Sequence, residues 1–261
     1  MSTQPRILLI FAHPDDESFA AGGLARRYAD RGAAIALVTA TRGDAGRVGD
    51  PPLCSREELP TRREAELRRA ASILGIDTVH VLDYLDKHLA DAPTDRIREE
   101  LVGLIRLHRP HVVITFDPNG VNRHPDHVAI SRFTMDAVVA AADSRWYSET
   151  MTPHQVQRLL WTATPPWEVT RSPDLRREPG VDFAVEISPY SRAKAQALRS
   201  HRTQHVPIDR CFFNKTDVDE ILKVEVFRQA WGPSVRRVPA DDVLAGLDLS
   251  APRARGDSVP E

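Results

Sequence analysis

The chain has 261 residues, of which 41% are hydrophobic and 28% are charged, so it can bury a core and is not a disordered chain. Its 35 Lys and Arg residues nearly balance its 37 Asp and Glu residues, which excludes the basic excess that a nucleic-acid partner usually requires. The apolar runs are far shorter than the roughly 18 residues of a membrane-spanning helix, and residues 1–6 do not resemble a secretory signal. Two cysteines are too few for a disulfide framework or a cysteine metal site. We therefore expect a cytoplasmic protein with no membrane span and no nucleic-acid partner.

Short β-rich runs alternate with helical patterns in the first half of the chain. The predicted strands cover residues 7–12, 34–40, 78–82 and 111–116, and the predicted helices cover residues 18–31, 61–74, 95–108 and 126–142. Residues 41–59 are rich in glycine and proline and are predicted to form a loop. This alternation predicts an α/β fold with a Rossmann-like, mostly parallel sheet flanked by helices. In such sheets, ligands bind outside the carboxyl ends of the strands.

The second half of the chain is less regular. It contains predicted strands at residues 156–162 and 181–187, separated by a proline-rich stretch, and predicted helices at residues 189–201 and 218–229. We therefore expect residues 1–150 to form a Rossmann-like core that carries a metal site. Residues 151–240 are expected to form a smaller C-terminal lobe that completes the site and the substrate pocket, and residues 241–261 a loose tail.

The first candidate for chemistry is the segment His13–Glu17, which directly follows the first predicted strand. Pro14 suits the first turn of a helix, and a helix N-terminus favours the negative charge of Asp15 and Asp16. Successive side chains in that turn point in different directions. One carboxylate can therefore bind a metal ion while its neighbour faces a substrate.

The second candidate is the segment His124–His127, which follows the fourth predicted strand and begins another predicted helix. Alone, each segment has a simpler explanation, because a single histidine after a strand is usually structural and paired acids often cap a helix. Both segments lie at the same predicted edge of one sheet, however, and together they offer His13, Asp16 and one or both of His124 and His127. Two imidazoles, one carboxylate and an open position form a catalytic zinc site.

The two segments together resemble the PIG-L/LmbE-like deacetylases, which are metal-dependent enzymes that remove acetyl groups from N-acetylglucosaminyl and related amides. The resemblance covers about residues 5–230. Three further segments are similar to the family: Thr41–Gly46 to its glycine-rich loop, Arg63–Glu66 to its Arg-x-x-Glu helix, and Lys194–Gln204 to its Lys…His-x-Ser-Gln segment, with Thr203 in the place of serine.

The resemblance implies a role for each of several residues. It implies that the metal ligands are His13, Asp16 and His127. It implies three catalytic residues: Asp15 as the general base, a protonated His124 that stabilises the tetrahedral oxyanion, and Asp126 as the group that orients an active-site histidine. It places Arg63 and Asp86 in contact with the sugar, and it places His201 near the site as a third candidate for substrate binding.

The chain departs from the family pattern at two positions. Asn122 stands where family members that act on mycothiol-type substrates have a tyrosine, and Lys87 stands where the family has a glycine after Asp86. Neither change replaces an expected ligand or the expected base. We therefore expect them to alter substrate choice, with Arg123 favouring a more anionic or bulkier acyl sugar.

The function predicted from the sequence is zinc-dependent hydrolysis of the acetamide of an N-acetylglucosamine-type sugar or conjugate. The substrate is expected to be a small N-acyl amino sugar or glycoconjugate; Fe²⁺ fits the same ligands as Zn²⁺, and the family resemblance is compatible with a homo-oligomer. One alternative is a non-haem Fe(II) oxygenase, which also uses two histidines and a carboxylate but usually in an all-β scaffold. Another is a non-enzymatic module that binds a sugar or nucleotide, although no G-x-G-x-x-G follows the first predicted strand.

Overall fold

A seven-stranded sheet forms the centre of the molecule. The computed structural model describes residues 4–147, 151–163 and 180–250. The strands are β1 (Arg6–Phe11), β2 (Ala34–Thr41), β3 (Thr78–Tyr84), β4 (Val112–Phe116), β5 (Arg158–Thr162), β6 (Phe183–Glu186) and β7 (Val224–Trp231). Their order in the sheet is β3-β2-β1-β4-β5-β7-β6.

Helices join the strands and cover the sheet. Among the described residues they are α1 (Asp16–Ala20), α2 (Gly22–Asp30), α3 (Leu59–Leu74), α4 (Thr94–His108), α5 (Gly120–Arg123), α6 (Pro125–Ala141), α7 (Ser191–Ser200), α8 (His205–Ile208) and α9 (Val218–Ile221). Short 3₁₀ turns occur at Leu89–Asp91, Ser188–Tyr190 and Arg202–Gln204, and a π-helical turn at Asp209–Phe213. None of the helices in the described part of the chain combines the length and apolar character needed to cross a bilayer.

The predicted Rossmann-like, mostly parallel sheet is confirmed. β1 pairs in parallel with both β2 and β4, β3 extends the sheet beyond β2, and β5 extends it beyond β4. β1 and β4 are nearly continuous apolar runs because helices cover both faces of a parallel sheet. The antiparallel pairings among the described strands are those of β7 with its neighbours β5 and β6.

The prediction of a helix at residues 218–229 is wrong for most of that range. Only Val218–Ile221 is helical, and Val224–Trp231 forms β7. β7 lies between two strands and pairs with both, so its backbone groups are satisfied by β5 and β6. The β-branched Val224 and Val226 suit a strand, and sheet pairing overrides the apolar spacing that indicated a helix.

The helix predicted at residues 18–31 is divided into α1 and α2 at Ala21, whose φ of −144° is not helical. The Glu225 carboxylate, on β7, accepts hydrogen bonds from the backbone N–H groups of Gly23 (2.8 Å) and Leu24 (2.7 Å). It thereby satisfies N–H groups that the start of α2 leaves unpaired. A distant strand therefore determines where this helix begins.

The described part of the expected loose tail is packed against the core. Val243 is fully buried, Asp241 forms an ion pair with Arg27, and the Tyr28 hydroxyl donates a 2.6 Å hydrogen bond to Asp242. The expectation of a loose tail beginning at residue 241 is therefore wrong up to residue 250. Residues 251–261 and residues 164–179 of the proline-rich stretch lie outside the described residues.

Candidate active site

The candidate site lies between the carboxyl ends of β1 and β4. From β1 the chain adds β2 and β3 on one side of the sheet, and it then adds β4 and β5 on the other side. The connections that leave β1 and β4 therefore diverge, which opens a crevice at the carboxyl edge between these two strands. The segment His13–Glu17 follows β1 and enters α1, whereas the segment His124–His127 follows the loop after β4 and enters α6. The fold thus brings together the two segments that the sequence placed at one edge.

Three potential ligand side chains converge in this crevice. His13 Nδ1 lies 3.2 Å from His127 Nε2 and 3.5 Å from Asp16 Oδ2. His127 Nε2 lies 3.3 Å from Asp16 Oδ1. Ligands about 2.0–2.1 Å from a tetrahedral zinc ion are separated from each other by roughly 3.3 Å. The three side chains therefore fit a zinc ion in spacing and in donor type.

Hydrogen bonds on the opposite nitrogens favour the ring orientation that metal binding requires. His13 Nε2 lies 3.1 Å from Asp126 Oδ2 and 3.2 Å from Asp86 Oδ1. His127 Nδ1 lies 3.2 Å from the carbonyl oxygen of Gly120. When these nitrogens carry the hydrogens and donate, His13 Nδ1 and His127 Nε2 present lone pairs to the crevice. Asp126 is thus beside His13, and Asp86 is a second partner of His13 that the sequence reasoning missed.

The charges around the three ligand atoms favour a cation. Burial alone lowers the pKa of His13, but the carboxylates of Asp126, Asp16 and Asp86 raise it well above its usual value. Burial alone raises the pKa of Asp16, but the His127 and His13 imidazoles hold it well below its usual range. A site that attracts a proton to a buried imidazole and keeps its carboxylate ionised also attracts a metal ion.

His124 occupies a different position from the other two histidines. Its ring centroid lies 4.8 Å from that of His13 and 4.9 Å from that of His127, and one ring nitrogen from each of the three lies within 4.8 Å of the other two. The Asp126 N–H donates to His124 Nδ1 (3.2 Å), so the neutral ring carries its hydrogen on Nε2. Burial, followed by the neighbouring His13 and His127, lowers the pKa of His124. The structure therefore favours a neutral His124 instead of the protonated one expected from the sequence.

Asp15 lies at the N-terminus of α1 with an unusual backbone conformation. Its φ of 124° is in the region that favours glycine, and its side chain makes no capping hydrogen bond to the helix. Its carboxylate instead lies 3.2 Å from the Arg63 guanidinium and lines a cavity of about 380 Å³. Burial raises the pKa of Asp15 to about 6, although Arg63 opposes the shift.

Arg63 connects three segments around the cavity. It is 3% exposed, and it donates hydrogen bonds to the carbonyl oxygens of Gly43 (2.9 Å) and Pro14 (2.5 Å). A Cβ atom on Gly43 would lie 2.1 Å from the Arg63 Nη1 atom, and Gly43 has a φ of 67°. The glycine-rich loop after β2 therefore leaves the space that the guanidinium occupies.

The cavity wall includes the residues at which this chain departs from the family pattern. Asp86, Lys87 and Asn122 line the cavity together with Asp15 and Arg63. The Asp86 carboxylate accepts the Ala45 N–H at 3.1 Å. The two departures are thus in position to contact a bound molecule.

His201 lies behind the cavity wall and not on it. It is 1% exposed, and its Nε2 lies 2.8 Å from Glu17 Oε1. Burial alone lowers the pKa of His201, but the carboxylates of Glu17 and Asp15 raise it above its usual value. The structure therefore places His201 against Glu17, away from the substrate contact suggested by the sequence.

Three contacts around the site could not be assigned from the sequence. The Gly120 carbonyl oxygen partners His127, and the Phe116 ring stacks on the His127 ring with centroids 3.9 Å apart. Glu17 supports the backbone of Asp15. Glu17 belongs to the first motif, but an acid in the first turn of a helix usually indicates a favourable interaction with the helix dipole and no more.

Comparisons with known proteins identify the relatives of this chain. The model of the family PIG-L: GlcNAc-PI de-N-acetylase matches residues 8–138. The 1D-myo-inositol 2-acetamido-2-deoxy-alpha-D-glucopyranoside deacetylase of Thermobifida fusca is 34% identical, and the alignment covers 90% of this chain and 96% of that protein.

Two solved structures share the fold. A conserved protein from Thermus thermophilus has a TM-score of 0.67 at 27% identity, with 89% of this chain and 97% of that chain covered. The N,N'-diacetylchitobiose deacetylase of Pyrococcus horikoshii has a TM-score of 0.68 at 21% identity, with 86% of this chain and 83% of that chain covered.

With these relatives, the fold and the site define the class of protein as a hydrolytic N-deacetylase. The chain belongs to the GlcNAc-PI de-N-acetylase (PIG-L) family, which confirms the resemblance carried by the two histidine–aspartate segments. Family membership favours the hydrolase over the oxygenase and over a non-enzymatic binding module.

Proposed function

We propose that this protein removes the acetyl group of a small N-acetylglucosamine conjugate by hydrolysis at a zinc site formed by His13, Asp16 and His127. Relatives named as deacetylases of an acetamido sugar, with 31–35% identity over most of the chain, support the reaction and the sugar. The observation that carries the proposal is the convergence of His13 Nδ1, His127 Nε2 and the Asp16 carboxylate, at distances of 3.2–3.5 Å, beside the Asp15 carboxylate that lines the cavity.

The metal would be held by two imidazole nitrogens and one carboxylate oxygen. A zinc ion supplies Lewis acidity, which polarises a carbonyl group and makes water a stronger nucleophile near neutral pH. The carboxylates of Asp126 and Asp86 support this role because they hold His13 Nε2 and so direct Nδ1 toward the ion. Fe²⁺ accepts the same ligands, so the choice between the two metals is part of the test.

Asp15 is the proposed general base. It lies next to the ligand Asp16 in the chain, it lines the cavity, and Arg63 holds one of its carboxylate oxygens at 3.2 Å. A carboxylate in this position can take a proton from the attacking water. It can then deliver that proton to the nitrogen, because the amine is a good leaving group only when it is protonated.

His124 is the proposed donor to the developing oxyanion. Because the Asp126 N–H occupies its Nδ1, the neutral ring has an Nε2–H group available for a hydrogen bond. A preorganised donor of this kind stabilises the negative charge that forms on the carbonyl oxygen when the amide is attacked. No additional proton on His124 is needed for this role.

Asp86 is the proposed contact for a sugar hydroxyl, in agreement with the family resemblance. It lines the cavity, and its carboxylate keeps lone pairs available beyond those that accept the Ala45 N–H and face His13 Nε2. The family resemblance also implies that Arg63 contacts the sugar, but its two Nη atoms already donate to carbonyl oxygens of the chain. Its main proposed role is therefore to orient Asp15, and any contact with the sugar is secondary.

The experiment that tests this function is the release of free amine from a panel of N-acetylglucosamine conjugates. Chelated protein, zinc-reloaded protein and protein reloaded anaerobically with Fe²⁺ are compared, and bound metal is counted. We expect amine and acetate in equal amounts from at least one conjugate, with the metal-loaded protein only. Protein that binds one metal per chain but releases no amine from any conjugate would contradict the proposed sugar. Amine release by fully chelated protein would contradict the metal mechanism.

A further inference from the structure

Glu17 makes an unusual contact with the backbone of the proposed base. Glu17 Oε2 accepts a 3.0 Å hydrogen bond from the N–H group of Asp15, two residues earlier in the chain. Asp15 has a φ of 124° and a ψ of −28°, a conformation that a residue with a side chain rarely adopts. Such a conformation persists only when surrounding contacts enforce it.

The second oxygen of Glu17 is fixed just as firmly. Glu17 Oε1 accepts the Ser18 hydroxyl at 2.6 Å and lies 2.8 Å from His201 Nε2. Glu17 is fully buried, and His201 is 1% exposed. The carboxylate therefore has a set orientation and does not rotate freely in solvent.

These contacts differ from ordinary stabilisation of a helix start. An acidic residue in the first helical turn is normally exposed and acts through its charge. Glu17 is buried, and it binds an N–H group that lies before the first residue of α1. Asp15, at the capping position, makes no side-chain cap, and its carboxylate is directed to Arg63. Burying the Glu17 carboxylate costs free energy, but Glu17 then binds the Asp15 N–H. The Asp15 side chain is therefore free to face Arg63 and the cavity.

We propose that Glu17, supported by His201, is a positioning residue that holds the Asp15 backbone in the conformation that directs the Asp15 carboxylate to Arg63 and the cavity. The inference rests on the proposed function, because it gives Glu17 a task only if Asp15 takes part in the reaction. It also gives His201 a role, which is to hold the Glu17 carboxylate. His201 is too buried to contact a substrate.

The test compares Glu17→Ala, Glu17→Gln and Ser18→Ala with the metal-loaded wild-type protein. Glu17→Ala removes the acceptor for the Asp15 N–H, so we expect kcat to fall about 10- to 100-fold, because a misplaced catalytic group has effects of that size. The KM and the bound metal should stay within about twofold of wild type, since no metal ligand is changed. Glu17→Gln keeps one acceptor oxygen and should restore most of kcat, and Ser18→Ala should lower kcat less than Glu17→Ala does.

A double-mutant cycle with Asp15→Ala separates positioning from a general loss of structure. If Glu17 acts through Asp15, then Glu17→Ala should change the residual kcat of Asp15→Ala by no more than about twofold. An equal 10- to 100-fold loss in both backgrounds would overturn the inference. Ser18→Ala repeats the cycle if Glu17→Ala does not fold, and Glu99→Ala, an exposed acid on α4, is the matched control that should leave kcat unchanged.

The cycle also distinguishes this inference from the proposed function. Near-normal turnover by Asp15→Ala would remove Asp15 as the base and would contradict the proposed function. A large loss in Asp15→Ala, together with full activity in Glu17→Ala and Ser18→Ala, would leave the proposed function intact and overturn only the role of Glu17.

Discussion

The buried guanidinium of Arg63 and the partly exposed carboxylate of Asp15 form an ion pair with a closest approach of 3.2 Å, although the two residues lie in different parts of the fold. Arg63 lies on α3, and Asp15 precedes α1. The same guanidinium binds the carbonyl oxygens of Pro14 and Gly43, so it joins the segment after β1 to the loop after β2. The position of Asp15 in the site therefore depends on α3 as well as on its own motif.

Arg63→Lys should reduce turnover strongly without removing the metal. An ammonium group cannot reproduce the forked contacts of the guanidinium with Asp15, Pro14 and Gly43. We expect kcat/KM to fall by about 100-fold with the bound metal close to wild type, and the melting temperature to fall because the carbonyl oxygens of Pro14 and Gly43 lose a buried donor. Arg68→Lys, at an exposed ion pair on the same helix, is the control and should behave as wild type. Equal activities of the two variants would show that Arg63 does not position Asp15.

Asp15→Ala and His13→Ala should separate catalysis from metal binding. We expect Asp15→Ala to lose at least about 100-fold in kcat and to keep its metal, because Asp15 is not among the three converging ligands. His13→Ala should lose both activity and metal, since one of three ligand atoms is removed. Metal analysis after gel filtration, together with amine release, provides both measurements.

His124→Ala is the third member of that comparison. It should lower kcat and leave the bound metal unchanged, because an oxyanion donor acts on the transition state. Loss of metal from His124→Ala would instead make His124 a ligand, an arrangement that the proximity of its ring nitrogens to those of His13 and His127 also permits.

Lys194→Met should destabilise the fold more than the loss of a surface lysine. Lys194 and Glu225 form an ion pair in which both side chains are fully buried, and Glu225 also caps α2 through Gly23 and Leu24. Removing the lysine leaves a buried charge without its partner, which costs about 3–5 kcal/mol in the free energy of unfolding. Chemical denaturation of the apoprotein measures this loss.

The matched controls for this pair are Lys223→Met and the double variant Lys194→Met/Glu225→Gln. Lys223 forms an exposed ion pair with Glu220, so its loss should have little effect. The double variant removes the unpaired charge and should recover part of the stability lost by Lys194→Met. Similar destabilisation by both single lysine variants would contradict a special role for the buried pair.

The free energy of unfolding should decrease as the pH falls from 6.5 to 4 because of two buried histidines, His111 and His154, at the amino end of the sheet. Burial, assisted by Arg6, lowers the pKa of His111 to about 4, and burial lowers the pKa of His154 to about 4. Both have a pKa near 6.5 when unfolded, so the unfolded chain binds more protons in this interval. Their contribution is complete above pH 6.5 and is lost as the pH falls toward 4, by about 1–2 kcal/mol for each histidine after allowance for solvent screening.

Variants that preserve the hydrogen bonds of these histidines test the pH dependence. The Arg6 N–H donates to His111 Nδ1, which Asn can imitate, and His154 Nε2 donates to the Pro110 carbonyl, which Gln can imitate. Denaturation of His111→Asn/His154→Gln at pH 7.5 and pH 4.5 should show a smaller pH effect than wild type. The exposed His88→Gln should keep the wild-type pH effect, and an unchanged slope in the double variant would contradict the assignment.

The sequence was sufficient to predict the strands of the first half of the chain and the sheet edge at which the two motifs meet. Apolar runs and helical patterns predicted β1, β2, β3 and β4 and the helices between them, because these signals depend on neighbouring residues in the chain. Parallel strands place their carboxyl ends at one edge, so the two motifs were expected to meet there. The family assignment followed from the same two short segments.

Only the tertiary structure decided β7, the division between α1 and α2, and the packing of residues 241–250. β7 is a strand because β5 and β6 pair with it, and α2 begins at Gly22 because the distant Glu225 carboxylate accepts two N–H groups of its first turn. In each case the stabilising partner comes from a part of the chain far away in sequence. A local pattern carries no information about such a partner.

The same reason explains what the sequence could and could not determine about the site. The sequence predicted which side chains bind a metal ion and act as a base, because that prediction depends on their chemical groups. The tertiary structure decided which nitrogen of each histidine faces the crevice, through Asp126, Asp86 and the Gly120 carbonyl. It also decided that His201 contacts Glu17 instead of lining the cavity, because direction and burial are set by contacts that form only when distant segments pack together.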